Sequence, residues 1–574
     1  MASNDFQVVG TNDNAPFTLK LHRGDGMTLI AMNWKGGDPP NDFVGFGIEF
    51  KAPDGDRFFA LKNRLSFAGT AVSADPNHFS TLLAPIQKFR WVHFPFKADT
   101  PGEYTYRVTP VFMNKKEELS YGEPQEGAIE LRRETFPGIL NIAFTRGFVS
   151  SQAFVNNFES AGAIETLLPP SADEGLGFVP THPKKEEALA WMGFEARKEV
   201  IGLLDQAVAD PGANVSVIAY DLNEPEIVTR LEALGSRLRI IIDNNPNDHG
   251  ADGSAENQAE ERLIRSAGAG NVRRQHMGKL QHNKTIVVDS PDIQTVICGS
   301  TNFSWRGFFV QANNALVLHG AKPVSLFKAA FEHYLGNETA PDFGATDSAG
   351  GWHDLELDGI DAKVSFSPHI PSNALLKSIA DDIENGVESS LLYSMAFLFQ
   401  TPGLIRNAIK SVQENNDRFV YGMSDHPVQG LELLIPDGNL APVFPSILAG
   451  AGLPEPFQTE SAGGRGTRLH HKFIVIDFDL PSARVYMGSY NFSNPADTSN
   501  GENLLLIRDR RVAVSYMIEA LRLFDHYRFR IVQQDAASRQ TVLQLAKPPK
   551  AGEVAWWKKD FTDAIRIKDR ELFS

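Results

Sequence analysis

"KLQHNKTIVVD" (Lys279–Asp289) returns in slightly altered form as "TRLHHKFIVID" (Thr467–Asp477), so the chain carries His-x-Lys-x-x-x-x-Asp twice. The runs KTIVVD and KFIVID are apolar and β-branched, which reads as buried strand. Alternate residues of a strand share a face. His282 and Lys284 therefore point the same way, as do His470 and Lys472. Each pair sets an imidazole beside a cation, an arrangement suited to an anionic substrate. Asp289 lies seven positions after His282, and Asp477 seven after His470. That odd offset sends both carboxylates to the opposite face and predicts a structural role for them.

The likeness continues beyond these eleven residues. A second apolar strand and a turn follow each motif, as TVICGSTNFS and RVYMGSYNFS, so Gly299, Ser300, Asn302 and Phe303 correspond to Gly488, Ser489, Asn491 and Phe492. From His to Asn is 20 residues in the first copy and 21 in the second. A third strand, NNALVLH from Asn313 and ENLLLIR from Glu502, begins eleven residues after its Asn in both. The pattern is an internal duplication of a three-strand unit.

Such a duplication can build a pseudo-twofold site in which each half contributes a histidine, a lysine and an asparagine. A phosphodiester held between them meets one neutral imidazole able to attack phosphorus and one imidazolium able to protonate the departing alkoxide. Lys284, Lys472, Asn302 and Asn491 would stabilise charge on the non-bridging oxygens. This chemistry needs neither metal nor cofactor.

The two HxKxxxxD motifs, each followed by a GSxN turn, resemble the signature of the phospholipase D superfamily over roughly Phe136 to Gln534. The resemblance implies a duplicated α/β fold of two similar mixed-sheet halves with flanking helices. It also implies a covalent phosphohistidine, with His282 as nucleophile and His470 as general acid. In that family an acidic residue on the third strand commonly bonds the histidine of its own half. Glu502 fits that position in the second half and Asn313 occupies it in the first, so Glu502 is expected behind His470 and Asn313 behind His282. Ser300 and Ser489 are expected to bind substrate.

Other candidates are weaker. His276, in RRQHMGK, reads as a solvated loop residue, and His471 alternates away from His470 to pack behind the site. A zinc site from His470, His471 and His276 lacks Cys or carboxylate partners at familiar spacing. The single cysteine, Cys298, excludes an intramolecular disulfide framework and reads as buried in its strand.

Composition narrows the substrate. The net charge is −16, from 71 acidic and 55 basic residues. A chain that binds long nucleic acid usually presents a broad basic surface. Here the basic residues instead gather at the motifs, as Arg273, Arg274, Lys279 and Lys284, and as Arg465, Arg468 and Lys472. A basic site in an acidic body suits a compact anionic head group. No run is long and apolar enough to span a bilayer, and the start MASNDFQVVG lacks a secretory pattern. The expected location is cytoplasmic, or secreted if a leader was removed.

The organisation follows from changes of period. Residues 1–135 carry short strand-like segments separated by turns, which predicts an all-β sandwich. TPGEYTYRVTPV resembles a late strand of an immunoglobulin- or fibronectin-like domain, with Tyr104 or Tyr106 as a corner anchor. Residues 136–343 form a first α/β half, 360–534 a second, and 535–574 a tail, with a Gly-rich connection at 344–359. The leading functional expectation is a metal-independent phosphodiesterase of phospholipase D type, monomeric and acting on phospholipid head groups at a membrane surface or micelle by hydrolysis or transphosphatidylation. A nuclease or nucleotide phosphodiesterase using the same two histidines is the alternative, and a weakly active binding protein a further one.

Overall fold

The computed structural model describes residues 5–69, 79–95, 100–146, 154, 157–401, 403–415, 417–426, 428, 431 and 469–574. Arg465 and Arg468 lie outside the described residues. The N-terminal region is β-rich, with a four-stranded and a five-stranded antiparallel sheet. Leu19, Leu21, Ile30 and Met32 of one sheet share a core with Phe46, Ile48, Tyr104 and Val108 of the other. The Tyr104 hydroxyl donates to the carbonyl of Thr100 at 3.0 Å, while Tyr106 donates to Thr28 Oγ1 at 3.1 Å.

Two seven-stranded mixed sheets follow. The first runs in the order Leu140–Phe144, Asn314–His319, Gln294–Gly299, Lys284–Asp289, Asn214–Ala219, Leu238–Asp243, Val272–Gln275. In the second, Asp361–Ser367, Glu502–Arg508, Arg484–Gly488, Lys472–Ile476, Ser390–Met395 and Phe419–Met423 stand in the same relative places. Each motif strand is central and buried on both faces, which accounts for its continuous apolar run. Val287, Phe473 and Val475 point into a core shared by both sheets and the long helix Arg510–Ser538; Ile286, Val288, Ile474 and Ile476 point outward beneath the flanking helices.

Three features depart from the sequence reading. The helix expected in KEEALAWMGFEARKEVIGLLDQAVAD spans Lys185–Ala209 but breaks at Phe194, whose φ is +44°. The Phe194 ring lies against the Arg146 guanidinium, 4.0 Å from ring centroid to Cζ. A further helix, Ala255–Ala267, is capped by the Ser254 hydroxyl. Its sequence, AENQAEERLIRSA, shows only a thin apolar stripe. Finally, the Arg510–Ser538 helix passes through the expected boundary at 534, and the segment after it packs back onto the sandwich. Trp556 and Trp557 join the sandwich core, and Arg90 of the sandwich pairs with both Asp525 and Asp569.

Candidate active site

Both motif histidines lie just ahead of their strands, which begin at Lys284 and Lys472. Two cross-half bridges hold these entries in place. Gln281 pairs with Gly501 and Leu469 with Ala312, and the amide of His470 donates to the Ala312 carbonyl at 3.1 Å. A matching carboxylate braces each entry from its own half. Asp243 Oδ1 accepts from the Gln281 amide at 2.7 Å, and Asp425 Oδ1 from the Leu469 amide at 3.1 Å. The chain thereby delivers His282, Lys284, Asn302, His470, Lys472 and Glu502 to one buried junction between the sheets.

The third-strand residues serve the opposite halves from those expected. His282 Nδ1 lies 2.8 Å from Glu502 Oε2, and His470 Nδ1 donates to Asn313 Oδ1 at 2.9 Å. The correction has a geometric cause. Each third strand begins at the seam where the other half's motif enters, as the Gln281–Gly501 and Ala312–Leu469 bridges show. Spacing along one half says nothing about a contact made across that seam. Asn313 is itself fixed, donating to the Gly307 carbonyl at 2.9 Å and accepting from the Ser300 hydroxyl at 2.9 Å. Glu502 Oε1 accepts from Asn500 at 3.1 Å.

Ser300 and Ser489 are fully buried behind the imidazoles. The Ser300 hydroxyl donates to Asn313 and Asn314, and Ser489 Oγ accepts from the Asn503 amide at 3.0 Å. Their hydroxyls thus brace the third strands, whereas the sequence reading expected them to bind substrate. The glycine ahead of each serine is required by conformation and by space. Gly299 has φ +136° and Gly488 φ +146°, and a Cβ on either would fall 2.5 or 2.3 Å from the carbonyl oxygen of Asn314 or Asn503. Asp289 stands at its strand's far end, 2.5 Å from Lys328 Nζ. Asp477 is fully buried and accepts from the amides of Glu388, Ser389 and Ser390.

The lysines lie beside their histidines. Lys472 Nζ is 3.1 Å from His470 Nε2 and donates to the His470 carbonyl at 2.8 Å; Lys284 Nζ donates to the His282 carbonyl. Burial pushes Lys284 down to about 7, against the carboxylates of Glu502, Asp221 and Asp243, and holds Lys472 well below its usual range. Burial and the neighbouring lysines likewise hold His282 and His470 low, so both rings favour the neutral form in the free site. Burial raises Glu502, while Lys284, the hydrogen bond from Asn500 and Lys472 oppose it by favouring the carboxylate.

The remaining candidates separate. His276 is exposed, while His471 is buried with Nε2 2.9 Å from Glu519 Oε1 and no part in the site. Cys298 is buried in its strand. Arg274 is spent on Glu260 and on the carbonyls of Asp243 and His249, and Arg273 pairs with Glu338. Sequence reasoning missed Tyr220, Asp221, Asp243, His249 and Glu256. Asp221 and Asp243 follow or end the adjacent parallel strands Asn214–Ala219 and Leu238–Asp243, and the carboxyl ends of such strands are where sites collect. Among the described residues, Asp221, His249 and Glu256 are the group whose ligand atoms lie close enough, within 4.8 Å of one another, to hold a metal ion.

Comparison with known proteins agrees with the motifs. A family model described as cardiolipin synthase, phospholipase D-like domain, matches residues 201–335 and 447–523. A phospholipase D of Rickettsia prowazekii is 46% identical over 48 residues, 8% of this chain and 22% of the relative. A phospholipase D of Rickettsia felis is 44% identical over the same extent, so the chain spans about a fifth of the length of these curated relatives. Among solved structures, phosphatidylserine synthase of Haemophilus influenzae is 15% identical with a TM-score of 0.39, covering 66% of this chain and 93% of that one. The phospholipase D family member Nuc of Salmonella typhimurium is 26% identical with a TM-score of 0.20, covering 25% and 85%. The matched family model falls on both motif regions, and over those regions the chain is similar to the phospholipase D superfamily.

Proposed function

We propose that the protein is a metal-independent phosphodiesterase of phospholipase D type that acts on phospholipid head groups. The observation that carries this reading is the cross-braced pair of imidazoles. His282 and His470 each have Nδ1 held by the opposite half, which leaves both Nε2 atoms for chemistry, with a lysine beside each ring. Binding of the anionic diester favours the imidazolium of His470, whose Nε2 takes up a proton from solvent; His282 Nε2 attacks phosphorus and a P–N bond forms as the P–O bond to the alcohol breaks, and the Nε2 proton of His470 passes to the departing oxygen. His470 then takes a proton from water, or from a second alcohol, whose oxygen attacks phosphorus and expels His282. Positive charge develops on the His282 ring in the first step, and Glu502 lies where a carboxylate stabilises it. The neutral amide of Asn313 orients His470 without strengthening its hold on the proton, which suits an acid.

The acidic body with a compact pair of buried lysines supports a small anionic head group over a long nucleic acid. The shared strand order supports two halves derived by duplication, at 136–343 and 360–534, and the Tyr104–Thr100 bond supports an immunoglobulin-like sandwich in 1–135. Purified protein incubated with EDTA is expected to cleave phosphatidylcholine or phosphatidylglycerol faster than single- or double-stranded DNA, and to form a phosphatidyl alcohol when 1-butanol is added. Turnover abolished by EDTA and restored by zinc or calcium would overturn the metal-independent reading. Faster cleavage of DNA would instead establish the nuclease alternative.

The buried lysines also set a pH dependence. Lys284 carries its charge below about 7 and loses it above, so KM for an anionic diester should climb above pH 7, approaching tenfold per pH unit if this charge dominates binding. Bound phosphate raises the lysine's affinity for its proton, so kcat should persist to higher pH than kcat/KM. A KM that stays flat between pH 6 and pH 9 would remove Lys284 from substrate binding.

A further inference from the structure

We propose that Asp243, His249 and Asp221 form a positioning chain in the first half that holds Asn302 and the backbone before His282 around the phosphoryl group. The proposal deepens the phosphodiesterase reading and rests on it. The chain is continuous. The Gln281 amide donates to Asp243 Oδ1 at 2.7 Å, His249 Nδ1 lies 2.7 Å from Asp243 Oδ2, and His249 Nε2 lies 3.1 Å from Asp221 Oδ1. Asp221 Oδ2 then accepts from Asn302 Nδ2 at 2.6 Å and more weakly from Ser304 at 3.4 Å. One end therefore fixes the peptide that enters His282, and the other fixes the amide of the GSxN turn. Between them the Tyr220 ring packs edgewise on both imidazoles, 4.5 Å from His249 and 4.7 Å from His282 by centroid.

Among the described residues the second half keeps the first link and sets a histidine near it, His426 Nε2 3.4 Å from Asp425 Oδ2, but does not continue to a carboxylate on its GSxN turn. Asp425 braces the Leu469 amide as Asp243 braces Gln281. The sheet register then identifies the counterpart of Asp221. Ala219 stands opposite Lys284 and Met395 opposite Lys472, so the residues two places on, Asp221 and Phe397, correspond. Phe397 is apolar, with Lys472 Nζ 5.6 Å from its ring centroid. The two halves thus share a fold position but differ in charge there, and among the described residues no carboxylate holds the amide of Asn491 as Asp221 holds that of Asn302.

Charge explains why the chain needs its histidine. Two bare carboxylates this close to a phosphate would repel it, and an imidazolium between them cancels part of that charge. Both ring nitrogens of His249 donate to carboxylates, Nδ1 to Asp243 at 2.7 Å and Nε2 to Asp221 at 3.1 Å, with Glu256 4.0 Å from Nε2, and this arrangement holds the ring as the imidazolium. Lys284 and Arg306 also bear on Asp221. Asn302, one N–H committed to Asp221, keeps its second for a phosphoryl oxygen.

The test reads anion binding as well as turnover, so that absence of the proposed activity does not hide the result. Tungstate affinity is measured calorimetrically on the full chain for Asp221→Asn, His249→Gln, Asn302→Ala and the pairwise combinations. Asp221→Asn and His249→Gln are each expected to weaken tungstate about tenfold, as loss of an orienting partner does, and to raise KM for a p-nitrophenyl phosphodiester more than they lower kcat. In the Asn302→Ala background either substitution should add less than twofold, because residues acting through one group are not additive. Tungstate affinity unchanged in folded single variants, or effects that add fully with Asn302→Ala, would overturn the chain. Failure of both Asp221→Asn and His249→Gln to fold would assign it to stability and overturn it as well. A saturable Co²⁺ absorption band lost in His249→Gln would do the same, because a metal ligand Nε2 cannot carry the proton the chain requires.

Discussion

His282→Ala protein should be inert toward every phosphodiester, its turnover reduced by at least about 10⁴-fold whether the leaving group is p-nitrophenolate or an alkoxide. Without the His282 ring no P–N bond forms, and a better leaving group cannot replace a missing nucleophile. His470→Ala should respond to the leaving group. Loss of the proton donor costs on the order of 10²–10⁴-fold with an alkoxide such as choline, and much less with p-nitrophenolate, which departs unprotonated. Both variants are to be assayed on a p-nitrophenyl diester and a natural diester, with circular dichroism confirming the fold. If the p-nitrophenyl ester rescues His282→Ala while His470→Ala stays inactive on both, the nucleophile and the acid exchange places. Equal loss on both substrates for both variants would remove His470 from leaving-group protonation.

Glu502→Gln is the second large effect, and it tests the cross-half pairing. Glu502 touches His282 across the seam, so its neutral replacement should slow attack on p-nitrophenyl and alkyl esters alike, by on the order of 10–100-fold. Had Glu502 served His470, the loss would fall on alkyl esters alone. The complementary change is Asn313→Asp, which places a carboxylate behind His470. A carboxylate there favours the imidazolium and raises the pKa of His470. The acid then stays protonated to higher pH, and the alkaline limb of kcat should move upward. Selective loss on alkyl esters in Glu502→Gln, or an unmoved limb in Asn313→Asp, would contradict the assignment of partners.

The legible part of the site was its local part. HNK, HHK and the two GSxN turns brought His282, Lys284, Asn302, His470, Lys472 and Asn491 to notice through repetition at fixed spacing, and strand alternation placed Asp289 and Asp477 away from the chemistry. The reading went astray where a contact leaves its own half. Glu502 was expected behind His470 and braces His282; Ser300 and Ser489 were expected at substrate and brace strands. His249 gave no signal, since the loop DNNPNDHG has neither a partner copy nor a motif.

The sequence by itself carried the resemblance to the phospholipase D superfamily, the repeated three-strand pattern and the chemical types at the site, because periodicity and repetition are properties of the chain and survive without three dimensions. The tertiary structure alone decided which group stands behind which imidazole, that Asp221 and Phe397 make the halves unequal, and that the C-terminal segment closes back on the N-terminal sandwich. These are contacts between distant residues, 220 positions apart for His282 and Glu502 and 513 for Phe43 and Trp556. They are set by how two twisted sheets meet along a seam, and side-chain chemistry at either end is compatible with several such meetings. Only the packing of the shared core selects one.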